Sequence, residues 1–168
     1  MLTKDEFLNI IYPTRKVIFM RVSSKCQYAL RALFAIARRG EPGLSRVMEI
    51  AEEQDIPPRY LENIVNQLRK GGFVHSRRGK EGGFSLSRPA RDIRLGDVIR
   101  FIEGPIHPTG CNGEKPGQAC RFKGRCVFIR HWNEAEKALE SVYDNTTIQD
   151  LVEEDRRFLQ DQALDYCI

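Results

Sequence analysis

Long hydrophobic runs are missing from this chain of 168 residues. No stretch approaches the roughly 18 uninterrupted apolar residues that a membrane span requires, which excludes a membrane protein. Apolar residues still make up 41% of the sequence. That share is enough to bury the core of a domain without disulfide bonds, and it excludes a wholly disordered chain.

Histidine is also scarce, with three residues in the whole chain. None of them lies next to a nucleophile and an acid in the sequence, so the usual pattern of acid, base or nucleophilic catalysis is absent. The glycine-rich run 78–83 lacks the Gly-Lys-Ser/Thr ending and the following helix of a phosphate-binding loop. We therefore expect that the protein is not an enzyme.

Cysteine occurs five times, an odd number. A secreted disulfide scaffold combines an even number with a signal peptide. Residues 1–19 contain acids early, only a short apolar stretch and no small-residue cleavage site, so they do not resemble such a peptide. We expect a cytoplasmic protein, in which clustered cysteines usually bind metal. Residues 1–19 precede a second methionine, Met20, and are either a non-native extension or a genuine extra arm.

Charge is unevenly distributed along the chain. Residues 1–20 have a net charge of +1, residues 21–100 carry 16 basic and 9 acidic side chains and have +7, and residues 101–168 carry 8 and 12 and have −4. The basic segment indicates a surface that binds a polyanion, and the acidic segment that follows indicates a part of the protein with another role.

The basic segment shows helical periodicity in three stretches. The first helix begins at Ser23 and ends before Gly40, and the second is short and takes Ser45 as its N-cap. The third has Pro58 in its first turn, where the missing N–H is not needed, and it ends at Gly71. Two helices joined by a tight turn form a helix-turn-helix unit.

A basic hairpin follows this unit directly. Two stretches suited to β-strands, 73–77 and 84–87, flank the glycine-rich run 78–83, and such a hairpin after the second helix of the unit is a wing. A further helix is expected over 96–103. The predicted fold is therefore mainly α with a small β-hairpin, and 20–104 forms a winged helix-turn-helix domain for binding DNA.

The first turn of a recognition helix contacts base edges in the major groove. Arg59 can donate two hydrogen bonds to guanine, Glu62 can accept from cytosine, and Asn63 can pair with adenine, with Tyr60 in the same turn. The alternative is an ordinary solvated helix face. Further basic residues are predicted to contact phosphates, and Arg78 of the wing can alternatively enter a narrow minor groove. These residues are Lys25, Arg69, Lys70, Arg77, Arg78 and Lys80.

Three cysteines lie in the glycine- and proline-rich segment 105–126. Their C-x8-C-x5-C spacing is wider than the paired C-x2-4-C of structural zinc sites, and it favours an iron–sulfur cluster held by thiolates. Zinc, or a set of redox-active thiols without metal, are the alternatives. The predicted ligands are Cys111, Cys120 and Cys126. His107 and His131 are weak candidates for a fourth ligand. Cys26 is expected in the core of the first helix, and Cys167 as an exposed thiol.

The acidic segment 127–168 begins with an apolar stripe at spacings of 4, 3, 4 and 3, which is the seam of a short coiled coil. The stripe either packs on its own domain or forms a dimer interface, and we favour the dimer because helix-turn-helix proteins usually bind two half-sites. Thr147 and Asp150 predict a capping box for a last helix. The stripe contains Phe128, Trp132, Ala135, Leu139 and Val142.

Three motifs together resemble the Rrf-two family of bacterial winged-helix transcriptional regulators, which includes IscR-, NsrR- and CymR-like members. The motifs are Met20 to Leu33, Ile56 to Glu62 and Arg78 to Phe84, and the resemblance covers Met20 to about Val152. It implies a dimeric regulator, often a repressor, that binds a palindromic operator in double-stranded DNA. It also implies that Met20 is the natural start.

In members with three loop cysteines, the resemblance implies a two-iron or four-iron cluster that senses iron–sulfur status, iron, nitric oxide or redox state. By position, the resemblance assigns Arg59, Glu62 and Asn63 to base reading, Arg78 to the wing, and the three loop cysteines to the cluster. IscR-like members have a histidine where this chain has Ile129. NsrR-like members use an acidic residue where this chain has Gln27, so Gln27 and its neighbour Cys26 join the weak candidates for a fourth ligand.

Two other functions are compatible with the same residues. The first is a DNA-binding regulator in which zinc, oxidisable thiols or a small ligand does the sensing. The second is an electron carrier or assembly accessory with a cluster, for which specific and salt-sensitive DNA binding is not expected.

Overall fold

The computed structural model describes residues 22–40, 43–79, 82–109, 120–122 and 124–165. It is mainly helical with one antiparallel hairpin, as predicted. The elements, in chain order, are α1 (Ser24–Arg39), α2 (Val47–Glu53), α3 (Pro58–Lys70), β1 (Val74–Arg77), β2 (Gly83–Leu86), a 3-10 turn (Ala90–Asp92), α4 (Leu95–Glu103), α5 (Ile129–Asp144) and α6 (Ile148–Asp165).

Helix α1 begins and ends where its capping residues predict. The Ser23 hydroxyl accepts a hydrogen bond from the Cys26 N–H at 3.2 Å, which satisfies one of the donors that a helix start leaves unpaired. Gly40 ends the helix with φ +71°, a backbone conformation that favours glycine. The buried side of α1 forms the centre of the core, and it contains Cys26, Ala29, Ala32, Leu33, Ala35 and Ile36.

The predicted N-cap of α2 is wrong. Arg46 is the N-cap, and the preceding Ser45 pairs instead with the wing. Ser45 donates its N–H to the Phe84 carbonyl and accepts the Phe84 N–H, both at 2.9 Å. Its side chain is fully buried, and the hydroxyl has no hydrogen-bond partner among the described residues. Ser45 therefore attaches β2 to the loop before α2 and cannot cap the helix.

The turn between α2 and α3 is short and bent. Asp55 has φ +49°, which is unusual for a residue other than glycine, although aspartate tolerates it better than most. Pro58 is the first residue of α3, as predicted, and Gly71 follows its last residue. The inward face of α3 follows its helical periodicity, with Leu61, Ile64, Val65 and Leu68 buried.

The wing is a two-stranded antiparallel sheet. Val74 pairs with Leu86 and Arg77 with Gly83. Val74 is buried, whereas the rest of β1 is exposed. Phe84 and Leu86 of β2 are partly buried and pack against the core. The observed strands lie within one residue of the predicted stretches.

Helix α6 begins inside the same core. Ile148 donates its N–H to the Ile93 carbonyl at 2.9 Å, and the side chains of Ile148 and Val152 are buried. The capping box is confirmed, because Thr147 Oγ1 accepts the Asp150 N–H at 3.2 Å and Asp150 Oδ2 accepts the Thr147 N–H at 2.7 Å. Farther along α6, Leu159 is 56% exposed.

Helix α5 packs along α4 through a smaller apolar cluster. Cys26, Ile99 and Ile106 are its buried members, and Leu139 and Tyr143 of α5 pack against them. The predicted apolar stripe is therefore divided, because Leu139 contacts its own chain whereas Phe128 and Val142 are 59% and 62% exposed. In the described part of the chain, no helix has the length and apolar character needed to cross a membrane.

Candidate nucleic-acid interface and thiol segment

The first two turns of α3 present polar side chains to solvent. Arg59, Tyr60, Glu62 and Asn63 are all exposed, as a base-contacting helix face requires. Asn63 Nδ2 donates to the Arg59 carbonyl at 3.2 Å, which is a local bond within the helix. The four residues therefore lie together on a surface that can accept and donate hydrogen bonds.

Basic side chains continue from α3 into the wing. Arg69 and Lys70 are exposed in the last turn of α3, and Arg77 and Arg78 are exposed at the end of β1 and just after it. Lys25 is half-buried in the first turn of α1, and Lys80 lies outside the described residues. The described cations contribute positive charge on the helix and the hairpin that follow one another in the chain, which suits a phosphate backbone.

A tyrosine pair beside the recognition helix was missed by sequence reasoning. Tyr28 of α1 packs edge-to-face on Tyr60, with ring centroids 5.9 Å apart. The Arg31 guanidinium lies 5.7 Å from the Tyr28 ring centroid and also donates to the side chain and the carbonyl of Gln54. The sequence does indicate that Tyr28 and Arg31 are neighbours, because they are one helical turn apart.

The base of the wing and the end of α3 pack together on α4. Phe73 lies 5.4 Å from Phe101 between ring centroids, and the Arg88 guanidinium lies 5.2 Å from the Phe73 centroid. Gly71 lies against the Phe101 ring so closely that a Cβ there would be 2.5 Å from Phe101 Cζ. The recognition helix therefore ends in direct contact with α4, which leads into the cysteine segment.

Two of the three predicted cluster ligands are described. Cys120 is exposed, Cys126 is half-buried, and neither forms a disulfide. Ile129 donates its N–H to the Cys126 carbonyl at 3.3 Å, so Cys126 lies at the start of α5. Cys111 lies outside the described residues. Among those described, no three histidine, cysteine or acidic side chains form a metal-binding group. Two accessible thiols are the donor type that an iron–sulfur cluster uses, so the donors present fit such a group.

The candidates for a fourth ligand have different surroundings. His107 Nδ1 lies 3.1 Å from Glu136 Oε2, so the start of the cysteine segment is attached to α5. His131 is largely exposed, 3.8 Å from a carboxylate of the next turn. Gln27 Nε2 donates to the Val22 carbonyl at 2.9 Å. Cys26 is fully buried, and this burial, with a smaller effect of Glu103, raises the pKa of its thiol to about 12.

The helix-turn-helix, its exposed polar first turns and the basic wing define a winged-helix DNA-binding protein of the transcription-regulator class. Comparisons with known proteins agree. The model of the Rrf2 family, described as an iron-dependent transcriptional regulator, matches residues 22–154, and the chain belongs to this family. Proteins of this kind are transcriptional regulators and not enzymes.

Individual relatives match over most of their length. An rrf2-like HTH-type transcriptional regulator of Rhodobacter capsulatus is 34% identical over 137 residues, which cover 78% of this chain and 91% of the relative. The structure is similar to that of CymR, the global cysteine regulator of B. subtilis, with a TM-score of 0.65, 31% identity and 80% and 97% of the two chains covered. It is also similar to T. potens IscR, with a TM-score of 0.66, 33% identity and 80% and 88% covered.

Proposed function

We propose that this regulator binds a palindromic operator as a homodimer and senses iron–sulfur status, iron, nitric oxide or redox state through a cluster held by Cys111, Cys120 and Cys126. The observation that carries the proposal is a pair of thiols without disulfide bonds in the segment before α5, Cys120 exposed and Cys126 half-buried, in a chain whose α3 exposes the side chains proposed to read DNA. The cluster would have two or four irons.

DNA recognition is assigned to α3 and the wing. Arg59, Glu62 and Asn63 are exposed side chains of the types that hydrogen-bond to guanine, cytosine and adenine. Arg69 and Lys70 lie at the opposite end of the helix from the base-contacting turn, so they are assigned to phosphate contacts. Half-sites contacted in this way need two copies of α3, which is the reason for proposing a dimer.

The dimer interface is assigned to the exposed part of the α5 stripe. Phe128 stacks on Trp132 with ring centroids 6.3 Å apart, and both Phe128 and Val142 expose more than half of their surface. Helix α5 has no fully buried residue of its own. A second copy of the helix would cover these apolar side chains, as in a coiled-coil seam.

A bound cluster would supply a redox-active and nitric-oxide-reactive centre that thiolates hold in place. The chain's own residues connect that position to the DNA-binding part. His107, near the start of the segment, contacts Glu136 of α5, and Ile106 is buried in the small apolar cluster with Cys26 of α1 and Ile99 of α4. Gain or loss of a cluster at this segment would therefore act on α4 and α5 directly, and the population of the DNA-binding conformation would change with it.

Anaerobic purification followed by iron and sulfide analysis and Mössbauer spectroscopy tests the cluster. We expect about stoichiometric iron and sulfide in the wild type, loss of both in Cys120→Ser and in Cys126→Ser, and no change in Cys167→Ser, a cysteine outside the ligand set. A reconstituted protein with neither iron nor sulfide would overturn the proposal. Bound zinc would support metal sensing of another kind, and oxidant-induced disulfides would support thiol sensing.

Fluorescence anisotropy with the DNA upstream of the regulator's own gene tests operator binding. We expect specific binding that weakens steeply as salt is raised, because phosphate contacts release counterions. A scrambled duplex of the same length is the control. Equal affinity for both duplexes, or no dependence on salt, would support the electron carrier or assembly accessory instead. Titration of cluster-loaded and cluster-free protein shows which form binds.

A further inference from the structure

We propose that Arg31 of α1 is a positioning residue for DNA recognition, which holds Tyr28, and through it Tyr60 of α3, against the turn of the helix-turn-helix. The inference rests on the proposed role of α3 in DNA recognition. It adds a residue outside α3 and outside the wing, and it assigns the residue an indirect role in orienting the recognition helix.

The first step is the tyrosine pair. Tyr60 lies in the first turn of α3, where its N–H donates to the Pro57 carbonyl at 3.0 Å and its side chain is 40% exposed. Tyr28 meets its ring at 5.9 Å between centroids with an interplanar angle of 79°, the edge-to-face arrangement that aromatic pairs prefer. The Tyr60 ring therefore contacts α1 and stays partly exposed to solvent.

The second step is the cation beside Tyr28. Arg31 follows Tyr28 by three residues, so the two side chains lie on the same side of α1. The guanidinium carbon lies 5.7 Å from the Tyr28 ring centroid, within the range of a cation–π interaction. Arg31 therefore gives the Tyr28 ring a second contact besides that with Tyr60.

The third step is the anchor of the guanidinium. Arg31 Nε donates to Gln54 Oε1 at 3.3 Å, and a second nitrogen donates to the Gln54 backbone carbonyl. Gln54 is the C-cap of α2, where carbonyls lack helical partners, and the next residue is Asp55 with φ +49°. One planar guanidinium thus connects the turn between α2 and α3 to Tyr28, which in turn contacts Tyr60 in the first turn of α3.

The competing role for an exposed arginine near α3 is a direct phosphate contact. In that role a lysine would serve nearly as well, because both side chains supply a positive charge. In the positioning role a lysine fails, since it cannot combine stacking on Tyr28 with a forked donation to Gln54. The substitution Arg31→Lys therefore separates the two roles.

Operator affinity and its salt dependence are measured for Arg31→Ala, Arg31→Lys and Tyr28→Leu, with Arg91→Ala as a control that also removes one exposed arginine. We expect Arg31→Ala, Arg31→Lys and Tyr28→Leu each to weaken operator binding by about fivefold to tenfold, with an unchanged slope of log affinity against log salt. The double variant Arg31→Ala/Tyr28→Leu should lose little more than either single variant.

A spectroscopic measurement reports the positioning without DNA. The protein is prepared with fluorotyrosine at its five tyrosines, and its fluorine NMR spectrum is recorded. The resonance that disappears in Tyr60→Phe belongs to Tyr60. It should shift in Arg31→Ala and in Arg31→Lys and stay in place in Arg91→Ala.

Retention of wild-type affinity in Arg31→Lys, or a salt slope lower by about one in Arg31→Ala, would overturn the inference in favour of a phosphate contact. An unmoved Tyr60 resonance would overturn it as well. If the wild type itself shows no specific operator binding, the proposed function fails. If the wild type binds and the Arg31 variants match it, only this inference fails.

Discussion

Arg100 of α4 donates two parallel hydrogen bonds to Asp144 of α5, at 2.7 Å to Oδ1 and 2.8 Å to Oδ2. The same guanidinium reaches Glu140 Oε1 at 3.3 Å. A Cβ on Gly96 would collide with the Asp144 carboxylate, so glycine at that position leaves room for the pair. The bidentate geometry fixes the orientation of α5 on α4 better than a single contact between point charges would.

This pair predicts a dependence of stability on pH. Hydrogen bonds from Arg100 hold the pKa of Asp144 below its ordinary value of 3.8. The ionised pair therefore stabilises the fold fully above the unfolded-state pKa, about 3.9, and its contribution is lost as the pH falls through the lower folded-state pKa. Both side chains are about one-third exposed, so solvent screening limits the effect to about 0.5–1 kcal/mol.

Urea unfolding of the wild type and of Asp144→Asn between pH 6 and pH 3 measures this contribution. We expect the wild type to be more stable at pH 6 and the difference to shrink as the pH falls below about 4. Asp150→Asn is a useful comparison, because the pKa of Asp150 is lowered mainly by the Thr147 backbone N–H, with no part for Arg100. Parallel pH profiles for wild type and Asp144→Asn would contradict the assignment.

Gly71→Ala is expected to destabilise the protein by about 1–3 kcal/mol through overpacking against Phe101. The backbone at Gly71 has φ −79°, which alanine adopts easily, so backbone strain does not contribute. Without the ring, alanine would instead stabilise slightly by reducing the freedom of the unfolded chain. Chemical denaturation of Gly71→Ala, Phe101→Ala and the double variant tests this, and simple additivity of the two losses would refute it.

Arg59→Ala and Lys70→Ala should affect DNA binding in different ways. Loss of Arg59 removes a base contact, so we expect about 1–3 kcal/mol less discrimination at one position of the operator. Loss of Lys70 removes a phosphate contact, so affinity should fall for all sequences and the salt slope should decrease by about one. Anisotropy titrations with a set of single-base operator variants compare the two. Identical sequence profiles in both mutants would argue against base reading by Arg59.

Val142→Glu should convert the proposed dimer to a monomer and weaken operator binding, because it places a charge in the exposed apolar stripe of α5. Lys137→Gln changes the net charge by the same amount at an exposed position on another side of the helix, so it should leave the dimer intact. Sedimentation velocity distinguishes the two states. A dimeric Val142→Glu protein would show that the stripe is not the interface.

Features of the fold that depend on residues close together in the sequence were predictable. Pro58 and Gly71 mark the two ends of α3, and the capping box of Thr147 and Asp150 marks the start of α6, because each acts on backbone groups within a few residues. The inward residues of α3 followed from helical periodicity for the same reason. The four exposed residues of its first turns followed as the complement of that periodicity.

Features that depend on distant partners were not predictable. Ser45 has the side chain of a good N-cap, but its backbone pairs with Phe84, which lies 39 residues farther along the chain. Arg31 reaches Gln54 across 23 residues, and nothing in the local pattern selects that partner over water. The apolar stripe of α5 was visible, but its division between the chain's own cluster and solvent depends on where α4 lies.

Helix α5 carries a row of acids, Glu136, Glu140 and Asp144, at intervals of four residues. Arg100 of α4 pairs with Glu140 and Asp144, and the His107 ring contacts Glu136. Successive carboxylates in such a row are about 6 Å apart along the helix axis. A sliding motion of α5 on α4 would break the pairs at intermediate positions and restore a pair for Arg100 only after a full step to the next acid. The contacts of Arg100 with Glu140 and Asp144 therefore favour one position of α5 along α4 over a gradual displacement.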